Sequence, residues 1–250
     1  MRRRRKRRNR FKFFLLQIFL MGCLILMIYS GYKIITWIME NNQNKKIMDD
    51  IYEDAIVRKD DKYMIDMEKL KRINSDTVGW IEVESTNIGY PIVQTTDNNY
   101  YLTHSFDKSY NRAGWIFADF RNKMDGTDQN IVVYGHNRRD GSMFGTLKNT
   151  LSEDWYNNED NMEIYLQIGE IVHKYKIFSI YKILQEEYYL TTDFDNEDDF
   201  MTYLDRAKSK SIKDFNVELS KDDKILTLSS CNIDGSKRIV LHAKLVTDNL

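Results

Sequence analysis

The sequence of 250 residues has only two cysteines, one proline and eleven glycines. Two cysteines cannot build a disulfide framework, and so little proline and glycine excludes collagen-like and proline-rich low-complexity chains. Hydrophobic residues make up 42% of the chain and charged residues 30%. This composition indicates a folded domain with appended segments, rather than a disordered chain or a polytopic membrane protein.

The net charge of −1 hides an uneven distribution of charge along the chain. Residues 1–12 carry nine lysines and arginines and no acidic residue, so residues 13–250 carry 28 basic and 38 acidic side chains, a net of −10. The bulk of the chain therefore lacks the basic surface that nucleic-acid-binding proteins use. A basic run can bind RNA on its own. Here it adjoins an apolar stretch, and membrane topology explains it with no nucleic-acid partner.

Residues 13–32 form an uncharged apolar stretch directly after this basic leader. As a helix, twenty residues span about 30 Å, the thickness of a bilayer's hydrocarbon core. Positive charges before such a stretch hold the N-terminus in the cytoplasm. We therefore predict a cytoplasmic leader over residues 1–12 and a single-pass transmembrane signal anchor over residues 13–37, with the rest of the chain extracellular. A cleaved signal peptide is the alternative, although no small-x-small cleavage site follows the stretch.

The remaining chain divides into a helical juxtamembrane segment, residues 38–62, and a domain, residues 63–250. Apolar residues recur every fourth position from Ile47 to Ala55, which predicts a helix over residues 40–62. A second helix is predicted over Met64–Ile73. Short alternating runs then predict eight strands, which indicate a mostly-β, closed or nearly closed barrel. The predicted strands are Val78–Val83, Ile88–Val93, Trp115–Ala118, Ile131–Tyr134, Met162–Ile168, Ile171–Ile183, Lys224–Leu228 and Arg238–Val246.

A third helix is predicted over residues 196–209, where acidic residues occupy the first turn and apolar residues follow at helical spacing. The alternative is a calcium loop built on Asp193, Asp195 and Glu197. That loop lacks a glycine at its sixth position and has Leu204 at its twelfth, where calcium loops carry glutamate. We therefore predict neither a metal site nor a cofactor.

Cys231 is the only cysteine outside the apolar stretch, and it ends an apolar run that leads into a polar loop. A thiol at a strand end is held rigidly yet can meet a substrate, which makes Cys231 a candidate nucleophile. A buried packing role is the alternative. Arg238 opens the last predicted strand, seven residues later. If the two strands are neighbours, Arg238 lies beside the thiol; otherwise it is a solvated strand-end arginine.

Of the four histidines, His136 is the best partner for the thiol, because it follows a predicted strand at the start of a polar loop. We expect Gly135 to let the backbone turn and to expose the His136 ring. His173 and His242 lie inside predicted strands and are interpreted as structural residues. His104 is ambiguous.

These residues together resemble the sortases, the cysteine transpeptidases of Gram-positive cell surfaces. Residues 227–231, Thr-Leu-Ser-Ser-Cys, resemble the family's Thr-Leu-x-Thr-Cys motif, with serine replacing threonine and keeping its hydroxyl. His136 and Arg238 match the family's histidine and arginine in order. Residues 90–102 and 141–147 are similar to class B members, as are the predicted helices. The resemblance covers about residues 41–250.

The resemblance implies a closed eight-stranded barrel with N-terminal helices and a long helix before the cysteine strand. It also implies cleavage of the C-terminal sorting signal of exported surface proteins after threonine, through a thioacyl intermediate on Cys231. An amine of a lipid-linked peptidoglycan precursor, or a pilin lysine, would then take the acyl group. His136 would be the general acid and base, Arg238 would bind the oxyanion, and Ser229 would line the substrate groove. We expect His136 and Arg238 to increase the thiolate population of Cys231.

Two other functions stay open from the sequence. The first is a cysteine–histidine peptidase or murein hydrolase. In papain-like enzymes the cysteine precedes the histidine, whereas here His136 precedes Cys231 by 95 positions. The second is a non-enzymatic, membrane-anchored binding domain in which Cys231 only packs.

Overall fold

A computed structural model describes residues 2–59, 62–184, 186–231 and 237–247. The α-helices within these ranges are α1 Arg2–Ala55, α2 Met67–Ile73, α3 Glu153–Tyr156 and α4 Glu197–Ser209. Short 3-10 helices cover Tyr100–Leu102, Gly145–Leu151, Glu159–Asn161 and Tyr188–Leu190. The strands are β1 Ile56–Lys59, β2 Lys62–Ile65, β3 Thr77–Val83, β4 Ile88–Val93, β5 Phe117–Ala118, β6 Asn130–His136, β7 Glu163–Ile168, β8 Ile171–Ile183, β9 Ile225–Cys231 and β10 Arg238–Thr247.

The chain divides into two compact units, residues 1–45 and residues 46–250. The first unit belongs to α1, whose apolar part is long and apolar enough to cross a membrane. This finding agrees with a membrane anchor. The division into leader, anchor, juxtamembrane segment and domain stays a prediction.

The second unit starts differently from the prediction, because the helix expected over residues 40–62 ends at Ala55. The β-branched residues Ile56 and Val57 follow and favour extended backbone. They open a hairpin in which Ile56 pairs with Ile65. The next helix begins at Met67 rather than Met64, because the Asp66 side chain accepts a hydrogen bond from the backbone N–H of Lys69 and caps α2.

Strands β3–β10 form a closed barrel in the order β10–β8–β7–β3–β4–β5–β6–β9 within the described residues, which confirms the predicted eight-stranded fold. Most neighbours are antiparallel, but β4 pairs with β5 and β6 pairs with β9 in parallel. Fully buried residues such as Ile81, Val132 and Leu228 fill the core. Each such side chain contributes about 1.5–3 kcal/mol through burial.

The strand ends differ from the prediction in ways that matter for the site. Strand β5 starts at Phe117 because the backbone N–H of Trp115 donates to the carbonyl of Tyr101 in a loop, at 2.9 Å, instead of joining the sheet. Strands β6 and β9 run further than predicted and end at His136 and Cys231. Helix α4 confirms the predicted late helix, and its N-cap Asn196 accepts from the N–H of Asp199.

Candidate active site

The strand register brings His136, Cys231 and Arg238 to one end of the barrel. In the parallel pairing of β6 with β9, His136 lies directly opposite Cys231. Strand β10 pairs antiparallel with the other edge of β9, where Val240 lies opposite Ser229. Arg238, two residues before Val240, is therefore level with Cys231, two residues after Ser229. Residues level with each other on neighbouring strands project to the same face of a sheet.

Cys231 remains partly exposed at the end of β9. The protein atoms around its thiol exclude most water, and this desolvation raises the pKa of Cys231 to about 11. The positive charge of Arg238 acts in the opposite direction and lowers this pKa. The thiol is therefore protonated at neutral pH in the free protein, and Arg238 is the group that favours its ionisation.

The hydrogen bond to Leu102 is the closest polar contact of the His136 ring. Its Nε2 donates to the backbone carbonyl of Leu102 at 2.8 Å, so the proton of the neutral ring lies on Nε2. Its Nδ1 is buried and has no hydrogen-bond partner among the described residues. The Leu102 contact thus fixes the tautomer that leaves Nδ1 with a free lone pair.

The expectation that Gly135 exposes the His136 ring is wrong, since the residue is only 7% exposed. Gly135 is needed for space, because a Cβ there would overlap Cδ1 of Ile116. Gly114 is needed beside the ring, because a Cβ there would lie 2.9 Å from Cδ2 of His136. The two glycines let the surrounding chain close tightly around the imidazole.

Burial also lowers the pKa of His136 below its ordinary value. The thiol and the imidazole of the free protein are therefore both neutral at pH 7. This differs from the expected increase in thiolate, because desolvation raises the pKa of Cys231 by more than Arg238 lowers it. In His136, desolvation likewise outweighs the backbone hydrogen bonds that raise its pKa. A sequence does not show how much water surrounds a side chain.

Arg238 is half-buried, and its guanidinium donates to the hydroxyl of Tyr189 at 3.3 Å. The same hydroxyl lies 3.3 Å from Oγ of Ser229, and both Tyr189 and Ser229 are fully buried. The role predicted for Ser229, lining the substrate groove, stays a prediction; its observed contact is with Tyr189.

None of the other three histidines is opposite Cys231 in the strand register of the described residues. Arg238 pairs with Ile183 on β8, and His173 lies ten residues before Ile183 on the same strand. About 30 Å of strand therefore separates His173 from the level of Arg238. His242 lies inside the barrel wall opposite Thr227. His104 stacks on Tyr100 with ring centroids 4.0 Å apart, and its Nδ1 contacts the Tyr100 carbonyl.

Two contacts of the site were not predicted from the sequence. The Leu102 contact uses a backbone carbonyl, which any residue could supply. Tyr189 lies in an irregular stretch between β8 and α4, where no pattern distinguishes it from the adjacent Tyr188. In the part of the chain that the structure describes, no cluster of three or more histidine, cysteine or acidic side chains could hold a metal ion.

Known proteins of one family resemble this chain over most of its length. Residues 81–246 match the family model of the sortase domain. Sortase B of Listeria monocytogenes is 35% identical over 228 residues, which cover 88% of this chain and 92% of the relative. Sortase B of Staphylococcus aureus is 32% identical over 228 residues, 89% of this chain and 93% of the relative.

The solved structures include sortase B from Bacillus anthracis, with a TM-score of 0.74 and 32% sequence identity. The superposition covers 84% of this chain and 99% of that one. Because the family model spans most of the chain and the similarity to two class B enzymes is nearly end to end, the chain belongs to the sortase family, class B, and is a cysteine transpeptidase.

Proposed function

We propose that Cys231 is the nucleophile of this transpeptidase, His136 its general acid and base, and Arg238 the group that stabilises the oxyanion. The observation that supports this most directly is the strand register, which sets His136 opposite Cys231 on one side and Arg238 level with it on the other.

The acylation half begins from a neutral thiol and a neutral imidazole. The Cys231 proton moves to Nδ1 of His136, the nitrogen with no partner, while the sulfur attacks the scissile carbonyl of the peptide. The peptide C–N bond then breaks. The proton held on Nδ1 passes to the leaving amine, which leaves a thioester on Cys231 and a neutral His136.

In the second half an incoming amine attacks the thioester and gives its proton to Nδ1 of His136. The C–S bond breaks, a new amide bond forms, and the proton returns from Nδ1 to the departing sulfur. Atoms and charges balance over the cycle without any cofactor. Water can replace the amine, which gives hydrolysis as a side reaction.

Arg238 is suited to the charge that develops on the carbonyl oxygen. A guanidinium stays ionised throughout the reaction and offers several N–H donors in a fixed plane. Its bond to Tyr189 uses only one of those donors. The remaining donors are oriented before the substrate arrives, which is the condition for effective oxyanion stabilisation.

The substrate proposed is the C-terminal sorting signal of an exported surface protein, cleaved after threonine. The acceptor is an amine of a lipid-linked peptidoglycan precursor. With its N-terminus cytoplasmic and its domain outside, α1 would keep enzyme, substrate and acceptor on one membrane surface and so raise their effective concentration.

The test is cleavage of a library of sorting-signal peptides by the domain, with products identified by mass spectrometry. We expect cleavage after threonine, and amide products when cell-wall-type amines are added. The Cys231→Ala variant serves as the blank. Cleavage that gives only the free acid, whatever amine is added, would favour a hydrolase.

The orientation has its own test. In intact cells, a tag at the C-terminus of the full chain should be accessible to added protease, whereas a tag at the N-terminus should be protected. The opposite pattern would contradict the proposed topology.

A further inference from the structure

Asp119 is a fully buried carboxylate directly after β5, outside the three residues of the proposed chemistry. It pairs with Arg121 through two N–H donors, Nε and Nη2, each at 2.8 Å. It also accepts from the hydroxyl of Tyr134 at 2.7 Å and from the amide of Asn98 at 3.0 Å. Although burial raises the pKa of Asp119, the hydrogen bonds from Arg121 and Tyr134 outweigh it and hold the pKa below its ordinary value.

Arg121 also reaches the segment between β8 and α4. Its Nη2 donates to the backbone carbonyl of Leu190 at 2.7 Å, in addition to its bond to Asp119. Leu190 ends the 3-10 helix Tyr188–Leu190. One guanidinium therefore connects this segment to the buried carboxylate.

That short segment carries Tyr189, the hydrogen-bond partner of Arg238. At the other end of the connection, Tyr134 lies on β6 two residues before His136. The Asp119–Arg121 pair thus links the strand of the proposed general base to the segment that holds the proposed oxyanion group. The two ends of this path are buried, since Asp119 and Tyr189 have no exposed surface, whereas the Arg121 side chain between them is 42% exposed.

We propose that Asp119 and Arg121 are positioning residues of the transpeptidase, which fix the segment Tyr188–Leu190 so that the Tyr189 hydroxyl holds the Arg238 guanidinium level with Cys231. This inference rests on the proposed role of Arg238. It needs an arginine at position 121, because a lysine ammonium cannot bind the carboxylate with two donors in one plane and also reach the Leu190 carbonyl.

A purely structural role would give a different result. If the Asp119–Arg121 pair only stabilised the fold, its loss would lower the melting temperature and leave turnover per folded molecule unchanged. The kinetic constants and the titration of Cys231 are the readouts that separate the two roles.

The first experiment is steady-state cleavage of a sorting peptide by Tyr189→Phe and Arg121→Met. A hydrogen bond to a charged group is lost in each case, so we expect kcat/KM to fall about tenfold, mainly through kcat. Because both changes act through Arg238, neither should lower activity further in an Arg238→Ala background. Full additivity would overturn the inference. The kcat/KM of Arg121→Lys should lie between that of Arg121→Met and that of the unchanged protein.

The second experiment is the pH dependence of Cys231 alkylation by iodoacetamide. Arg238 lowers the pKa of this thiol. Displacing the guanidinium should therefore move the alkylation midpoint upward by about half a pH unit in Tyr189→Phe and Arg121→Met, as in Arg238→Ala. An unchanged midpoint in both variants would overturn the inference.

Lys221→Met is the matched control, since it removes an exposed ion pair with Glu197 at 2.8 Å. It should change neither readout. If Arg238→Ala is impaired but Arg121→Met is not, the inference fails and the proposed function stands. If Arg238→Ala keeps full activity, the oxyanion assignment fails and the inference fails with it.

Discussion

Strand β9 lies between β6 and β10 and carries two small side chains four residues apart, Thr227 at an inner level of the barrel and Cys231 at its outer end. At the inner level Thr227 donates to Oδ1 of Asn130 at 2.8 Å and lies 2.9 Å from Nδ1 of His242. The other ring nitrogen of His242 contacts the hydroxyl of Tyr181 at 2.8 Å. All of these polar groups are buried, and each has a partner.

At the outer level Cys231 takes the place of threonine, with His136 and Arg238 beside it. Here the Nδ1 of His136 has no partner among the described residues, and Cys231 keeps some exposure. The same three strands therefore carry two polar clusters. The hydrogen bonds of the inner cluster are complete, whereas the outer cluster keeps one ring nitrogen without a partner among the described residues. Complete bonding gives rigidity, whereas a free lone pair beside a thiol allows proton transfer.

The largest expected effect is at the outer level. Because the proposed chemistry depends on the sulfur, Cys231→Ala should lower cleavage of a sorting peptide by about 10⁴-fold or more and leave the circular dichroism spectrum unchanged. Thr227→Ser, which keeps the hydroxyl at the inner level, should stay within about threefold of the unchanged protein. Near-normal turnover by Cys231→Ala would refute the nucleophile assignment.

The next effect separates the histidines. His136→Ala removes the proposed general base and acid and should lower kcat by about 10³-fold, since general acid–base catalysis contributes about 10²–10⁴-fold. His173→Ala should keep its activity, because His173 lies far along β8 from the thiol. The reverse pattern in the same kinetic assay would show that His136 is the wrong histidine.

A smaller loss is expected from Arg238→Lys, which keeps the charge but loses the planar group of donors. We expect kcat to fall by about 10–10²-fold, somewhat less than the loss of a whole oxyanion donor. Single-turnover acylation of Cys231, followed by mass spectrometry, measures this step directly. Unchanged acylation would leave Arg238 without a catalytic role.

The smallest effect on activity is expected at the inner level, where stability should change instead. Burial lowers the pKa of His242 to about 3, far below that of an exposed histidine, about 6.5. Below about pH 6.5, His242 therefore binds a proton in the unfolded chain but stays neutral in the folded domain. As a result, the free energy of unfolding decreases as the pH falls toward 3.

His242→Gln removes this titration and should make urea unfolding less dependent on pH between about 6.5 and 4. At pH 7 the variant should lose about 1–2 kcal/mol, because the hydrogen bonds of Thr227 and Tyr181 are remade imperfectly. If the free energy of unfolding depends on pH equally in the variant and the unchanged protein, the assignment of His242 as a buried neutral residue is contradicted.

The outer level was predictable from the sequence because its residues lie at strand ends. An apolar run that leads into a polar loop locates His136 and Cys231, and the short loop after Cys231 brings Arg238 back. Strand pairing across long sequence separations was available only through the family resemblance. The helix boundary at Ala55 was missed because the spacing of Ile47, Ile51 and Ala55 does not show where a helix stops.

The ionisation states of the site residues and the contacts that orient them could not be predicted from the sequence. The ionisation of Cys231 and His136 depends on how many atoms exclude water from them, and the contacts of Tyr189 and Arg121 depend on a segment with no periodic pattern. Both are products of tertiary packing rather than of local preference.

The parallel contact between β6 and β9 also has a consequence for how the chain becomes reactive. His136 is synthesised 95 residues before Cys231, and the pairing that joins them closes a long loop. Contacts of such high sequence separation form slowly. We therefore expect Cys231 of a nascent chain to have no neighbouring His136 or Arg238 until the last strands have paired. The proposed thioester chemistry would then start only in the fully folded protein.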